Sequence, residues 1–402
     1  KLMSMISVIL VAVFVLAACA PAATPTPENV KITLWTKEGE VDGGLQYVQG
    51  LADAYTAAHP NVTFEVVNKE VETLREDFQT ASLAGNSPDL LWTVSDHAGP
   101  FVAADLIQPV DGMVDLTAYV ESVKMNGKTW AVPISSGNHL MLLYNKDLIA
   151  TAPKDTDELL ALAGTFGADI YPLVFNQTEP FWLAPFLGGF GGKVFAEDGV
   201  TPTLNTPEMV NTLAFMVEMK TKGIIPAEGD YNSADTLFKE GKAALIINGD
   251  WSLGGYQEAL GDKLGVAPIP MIKATGKYPA PYTSGVYFMV PKSLSGAKLE
   301  AAKDFMKFVT NEANQLDMVA KLKRLPALKV ALSNSVITSD PILANSAAQM
   351  AYGTPMPTVL EMRCNWDSMK PELQAVLAGT VSPADAAKNM QTSAEACIKK
   401  LE

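Results

Sequence analysis

From residue 30 onward the chain switches repeatedly between two hydrophobic periods. VKITLWT (30–36) alternates apolar and polar positions, the period of a half-buried strand. GLQYVQGLADAYTAAHP (44–60) then sets Leu45, Val48, Leu51 and Tyr55 on one helical face until Pro60 ends the run. NVTFEVV (61–67) alternates again, TLREDFQTASLAG (73–85) reads as a helix stopped by Gly85, NSPD (86–89) is turn chemistry, and DLLWTV (89–94) suits a short buried strand. Strands separated by helices predict a parallel sheet with right-handed crossovers. Ligands of such sheets sit beyond the carboxyl ends of the strands, so the segments after Trp35 and after Trp92 should face a cleft.

Further along, NGKTWAVPISSGNHLMLLYNKDLI (126–149) opens on Asn-Gly turn chemistry and continues as extended apolar chain, predicting a hairpin and then a crossing strand. PKDTDELLALA (153–163) starts a helix with Asp155 as N-cap and Glu158 three residues on. NTPEMVNTLAFMVEMKTKG (205–223) has Thr206 as cap, Pro207 in the first turn and Gly223 as stop, and its methionines read as core. TLFKEGKAALIINGDW (236–251) is helix, glycine turn, buried strand and a loop ending in Trp251. The glycines of LGGFGGKVF (187–195) lack the Lys-Ser/Thr end of a phosphate loop and read as a turn.

Ahead of this pattern lies an uncharged apolar run from Leu2 to Ala18, preceded by Lys1. Residues 1–18 have the shape of a signal peptide. The segment LAAC (16–19) resembles the bacterial lipobox, which makes Cys19 the lipid-modified end of the mature chain, with an ordinary secretory signal or a retained membrane helix as the alternatives. Beginning at Lys1 and not Met, the chain is expected to lack its start. Residues 19–29, rich in Pro, Ala and Thr, cannot bury apolar area and read as a tether.

Composition narrows the function. About 370 residues beyond the tether exceed what one core usually holds, which predicts two lobes. A net charge of −14, with no basic cluster to neutralise phosphates, argues against nucleic acid. With Cys19 used for lipid, Cys364 and Cys397 remain, and an exported chain with an even remainder predicts a disulfide, two buried thiols being the alternative. His59, His97 and His139 are scattered without zinc-site spacing; His59 reads as loop, the others as surface or satisfied polar residues, and no metal is expected. Neither GxSxG nor HExxH occurs.

Several strings, in shared order, resemble one family: SPDLLW (87–92), NGKTWAVP (126–133), LLYNKDL (142–148), FKEGKAALIINGDW (238–251), GVAPIP (265–270) and MPTVLEMRCNW (356–366). It is the extracellular solute-binding proteins of ABC importers, in the group containing maltose-binding protein. The resemblance implies an α/β, two-lobe periplasmic-binding-protein fold of the hinge-closing type II with multiple interlobe crossings. Lobe 1 would comprise 30–137 and 265–325, lobe 2 residues 138–264 and 326–402. It further implies a monomer without cofactor that captures an oligosaccharide and hands it to a membrane permease.

In the second lobe TEPFW (178–182) supplies Glu179, Phe181 and Trp182, and Trp251 and Trp366 fall on family tryptophans. Aromatic faces stack on the C–H faces of a pyranose while carboxylates bond its rim. In the first lobe Asp96 falls on a hydroxyl-binding aspartate, but His97 replaces an arginine and Thr93 an aromatic platform. Glu40 stands where the family has a lysine, Asn138 lies near a family glutamate, and Lys37, Glu38 and Glu40 are loop candidates for ligand contact. These departures leave the sugar class standing but count against maltose itself; the resemblance as a whole implies a malto-oligosaccharide, with trehalose, another disaccharide, a polyol or a sugar phosphate as alternatives. A different class, a secreted glycoside hydrolase, would use Asp96 and Glu179 across the cleft.

Overall fold

Hydrogen bonding gathers the alternating segments into two sheets, each with its own core. The computed structural model describes residues 28–120 and 122–401; the leader 1–18, Cys19 and the tether up to residue 27 lie outside the described residues. In the first sheet β1 (Val30–Thr36) pairs in parallel with β2 (Val62–Asn68) and β3 (Leu90–Val94), setting Leu34 between Val66 and Leu90. The helices Gly44–Ala58 and Val71–Leu83 make the crossovers. Ile32 and Leu34 are fully buried in one cluster with Val48, Leu51 and Tyr55 of the first helix and Phe288 and Phe305. Each such side chain contributes about 1.5 to 3 kcal/mol of transfer free energy.

β4 (Ile107–Gln108) follows, then a hairpin of β5 (Lys124–Met125) and β6 (Lys128–Thr129). Its turn, Asn126 and Gly127, holds φ values of 52° and 73°, the left-handed pair that Asn-Gly tolerates. β7 (Val132–Gly137) ends in the first sheet, and β8 (Leu140–Asn145) begins in the second after Asn138 and His139 alone. The second sheet adds β9 (Tyr171–Val174), β10 (Ala243–Gly249) and β11 (Leu264–Ala267) in the order β11-β8-β10-β9, with β8 antiparallel to both neighbours. β12 (Tyr282–Pro291) returns to the first sheet antiparallel to β3, β4 and β7, and β13 (Thr354–Pro355) pairs with its start. The second core collects Leu142, Leu173, Phe186, Leu213, Ile247 and Met369.

Some sequence expectations are corrected. β11 pairs with β8, so residues 265–267 belong to the second sheet and not to lobe 1. Ala327, Leu328 and Ala331 pack into the first core, so the return to lobe 2 comes later than residue 326. Gly188 and Gly189 are not turn residues but lie inside the helix Ala184–Phe190. A Cβ on them would stand 2.6 Å from Ala280 and 2.7 Å from Ile272, so they are glycines because another chain segment passes close; the turn falls on Gly191, with φ of 94°. His97 and His139, expected at the surface or satisfied, are both buried, and each has a ring nitrogen without a partner.

Cys364, on the helix Glu361–Leu377, and Cys397, on the helix Pro383–Ile398, are disulfide-bonded across a sequence separation of 33 residues. Closing a loop of that length stabilises by about 4 kcal/mol through the unfolded chain. Under denaturing, non-reducing conditions no thiol at either position should therefore alkylate, and Cys364→Ser should lower the unfolding free energy by about that amount in a urea titration.

Candidate functional site

Residues that follow β1, β3, β9 and β10 meet the start of β12 and side chains of two helices between the two sheets. After β10, Gly249 lets the Trp251 indole fold back on the strand end, since a Cβ there would stand 2.1 Å from the ring. After β9, Pro180 opens a short turn that presents Phe181 and Trp182. Trp366 projects from the helix Glu361–Leu377, and Tyr282 opens β12. Ring centroids lie 6.2 Å apart for Phe181 and Trp251, 6.4 Å for Phe181 and Trp366, and 6.0 Å for Tyr282 and Trp366. Phe181, Trp251 and Trp366 stay half-buried, each keeping part of its ring open to solvent. Trp182 does not: it is 7% exposed, packs in the second core, and its Nε1 donates to the Ile247 carbonyl. It braces Trp251 edge-on at 6.2 Å.

Trp251 Nε1 donates to Tyr231 Oη at 3.0 Å, and Tyr231 donates to Asp42 of the first lobe at 2.8 Å. Also from the first lobe, Lys37 Nζ stands 5.7 Å over the Trp251 ring. Burial lowers the Lys37 pKa, with Glu38 opposing. Trp366 Nε1 donates to Asp96 Oδ2 at 3.3 Å, so a second-lobe platform touches the first-lobe carboxylate directly. Beside it Arg363 binds Glu72 of the first lobe at 2.5 Å and its own helix neighbour Asp367. Glu179 is held by Lys370 at 2.5 Å, and burial raises its pKa.

Asp96 follows β3 and retains some exposure, yet the surrounding protein desolvates its carboxyl and, with the negative charge of Glu72, pushes its pKa up to about 7. Neighbouring His97 is buried, takes Thr93 Oγ1 at 2.8 Å on Nδ1, and leaves Nε2 without a partner. Burial pushes its pKa down to about 4, so a neutral imidazole stands where the family resemblance expects an arginine charge.

Other loop expectations change. Glu38 is 2% exposed; both its oxygens are taken by Arg324 at 2.8 Å, and one also by Trp92 Nε1 at 3.0 Å. Burial opposes the charge, but Arg324, Lys37 and the Trp92 hydrogen bond together outweigh it and hold the Glu38 pKa down to about 2. Its carboxylate is committed to this ion pair within the protein. Glu40 is exposed and lines a separate groove of about 610 Å³ with Asp42, Gln46, Tyr47, Gly254 and Asp317. Asn138 lies at the β7–β8 crossing, with its backbone N–H on Asp250. Sequence reasoning missed Tyr231, Tyr282, Arg324 and Arg363. Tyr231 is flanked by the Asp230 capping box, a local signal, while the others are brought in only by tertiary structure. Among the described residues no group of three or more His, Cys, Asp or Glu could hold a metal ion.

A family model described as bacterial extracellular solute-binding protein matches residues 50–345. The maltotriose-binding protein of Pyrococcus abyssi is 27% identical over 86% of this chain and 77% of its own length. The maltooligosaccharide ABC transporter solute-binding lipoprotein of Streptococcus pneumoniae serotype 4 is 28% identical over 98% of this chain and 95% of its own. The solved maltose/maltodextrin-binding domain of Bdellovibrio bacteriovorus, bound to maltotriose, has a TM-score of 0.88 and 37% identity, covering 92% of this chain and 100% of that one.

The raised Asp96 pKa has a signed consequence. Between the ordinary carboxylate pKa of 3.8 and about 7 the folded protein holds a proton that the unfolded chain has released, so this group's contribution to stability falls as pH rises and levels above 7. Asp96→Asn should therefore gain stability relative to the parent by up to about 1.4 kcal/mol per pH unit between pH 5 and 7, then run parallel to it. Thermal melts of both proteins from pH 5 to pH 8 check this; a constant difference would contradict it.

Proposed function

The chain belongs to the bacterial extracellular solute-binding proteins, and from that premise we propose that it captures a malto-oligosaccharide between its lobes and presents it to an ABC permease. The observation that carries the reading is the half-buried aromatic surface of Trp251, Phe181 and Trp366, facing Asp96 and Lys37 from the opposite lobe. A pyranose offers apolar faces and a hydroxyl rim, which match those two kinds of surface. The sugars that the Pyrococcus and Streptococcus relatives are named for support the same ligand class.

Charge supports a neutral sugar. The cleft cations are each engaged by carboxylates: Lys37 by Glu38, Lys370 by Glu179, and Arg363 by Glu72 and Asp367. A phosphate ligand would have to displace those partners, whereas a hydroxyl need only share them. No covalent step is needed. A ligand that binds the closed arrangement better draws the lobes together by that difference in affinity. The hydrolase reading finds no support in the relatives, which are named as binding proteins, and product release tests it. Outside the cytoplasm, the lipobox-like LAAC makes Cys19 the anchor, in keeping with the lipoprotein relative.

The experiment is calorimetric titration with glucose, maltose, maltotriose and a galacto-oligosaccharide. Maltotriose should bind, and Trp251→Ala should weaken it by about 1 to 3 kcal/mol, by analogy with other aromatic stacking. Binding of another oligosaccharide with none of the maltose series would redirect the ligand class. Glucose released from maltotriose on incubation would overturn the binding-only reading. In cells, Cys19→Ser should move the protein from the membrane fraction to the soluble fraction.

A further inference from the structure

The shortest passage between the lobes runs through Gly137, Asn138 and His139. Gly137 still pairs with Ser284 in the first sheet, and Leu140 already pairs with Gly249 in the second. Such a reversal is possible because Gly137 and Asn138 both sit at positive φ, 105° and 45°. The residue that fixes this passage comes from another segment. Asp250 N–H donates to the His139 carbonyl at 3.2 Å, and Asp250 Oδ2 accepts the Asn138 N–H at 3.1 Å. A Cβ at position 137 would stand 2.4 Å from the same oxygen, so the carboxylate lies directly on the glycine. Asp250 is 3% exposed and its side chain caps no helix, although it opens a helical turn. His139 completes the contact, with Nδ1 at 4.0 Å from Asp250 and Nε2 bonded to the Ser346 carbonyl.

We propose that Asp250 is a positioning residue for ligand capture: it clasps the backbone of the β7–β8 crossing and couples the lobe angle to the placement of Trp251, its neighbour in sequence. Lobe movement about a hinge is absorbed by φ/ψ changes at a few residues. Gly137 and Asn138 carry the special angles here, so their rotation strains or breaks the Asn138 to Asp250 bond. That bond is buried, so losing its acceptor leaves the Asn138 N–H unsatisfied, a cost that weighs in a two-state equilibrium. Asp250 thereby stabilises the closed arrangement without touching the sugar. The inference rests on the proposed reading of the cleft only for its binding arm.

Two substitutions and two readouts test it. Asp250→Asn keeps a side-chain acceptor at the same reach; Asp250→Ala does not. The Ala variant should lose about tenfold in maltotriose affinity, mainly through faster dissociation, and should show a larger radius of gyration by small-angle scattering without sugar. The Asn variant should stay within about twofold of the parent in affinity and match its scattering. A folded Ala variant with parental affinity and scattering overturns the proposal, as does an Asn variant as impaired as the Ala one. If the Ala variant does not fold, Asp250→Ser, whose shorter side chain does not span to Asn138, takes its place with the same expectation. Scattering is read without sugar, so failure of the parent to bind maltotriose would fault the ligand assignment and leave the hinge test standing.

Discussion

The buried pair of Glu38 and Arg324 is the interaction on which the geometry of the cleft depends. Glu38 leaves the end of β1 and lies at the start of the helix Gly44–Ala58, where absence of a Cβ on Gly44 admits it: a methyl there would stand 2.6 Å from its carboxylate. Arg324 follows the helix Glu312–Leu322 and binds both oxygens, while Trp92 of β3 donates to one of them. Arg324 also comes within 3.5 Å of the Trp251 carbonyl. One ion pair therefore ties β1, β3 and a helix start of the first lobe to the loop of the second that carries Trp251. Desolvating two charges is expensive, and bidentate geometry with an added donor is what offsets it. Removing either partner alone would leave an uncompensated buried charge, typically about 3 to 5 kcal/mol.

Across the cleft the contacts are of another kind. Arg363 with Glu72, Tyr231 with Asp42, Lys239 with the Val41 carbonyl and Trp366 with Asp96 all span the lobes, and most keep partial access to solvent. The ion pair contributes about 0 to 1 kcal/mol and the hydrogen bonds about 0.5 to 1.5 kcal/mol each. Their sum holds the lobes together weakly, and a weakly held closed state is what a capture protein requires, because the ligand's preference for closure then decides the population. The apolar cores on either side do not take part in this balance, since each sheet keeps its own cluster.

What could be read from sequence follows the range of the forces involved. β1, the helix Gly44–Ala58, the Asn126-Gly127 turn and the Thr206 cap rest on local periodicity, backbone sterics or a hydrogen bond three residues away, and they appear where the pattern puts them. Gly188 and Gly189 were misread because close approach to Pro279 and Ala280 leaves no local trace. The same holds for β11, whose few apolar residues can pair with either sheet until β8 is in place. Glu38 looked like a free loop carboxylate because its partner stands 286 residues away. For the cleft aromatics burial was not legible: nothing in TEPFW distinguishes the half-buried Phe181 from Trp182, which is fastened by its indole N–H to β10.

The division of labour between the lobes follows from these placements. The second lobe brings the aromatic faces, whose stacking energy is insensitive to which hydroxyl points where. On the proposed reading, discrimination falls to directional groups, and the first lobe presents Asp96, a partly exposed carboxyl whose pKa is pushed up to about 7, with the buried His97, pushed down to about 4 and bonded to Thr93, behind it. Near neutral pH such a carboxyl can be present either as acceptor or as donor. A guanidinium in place of His97 would donate only. A site that can both donate and accept fits a hydroxyl by adapting its protons and not by attracting charge. That property suits a run of chemically similar sugar hydroxyls better than any fixed cationic group would.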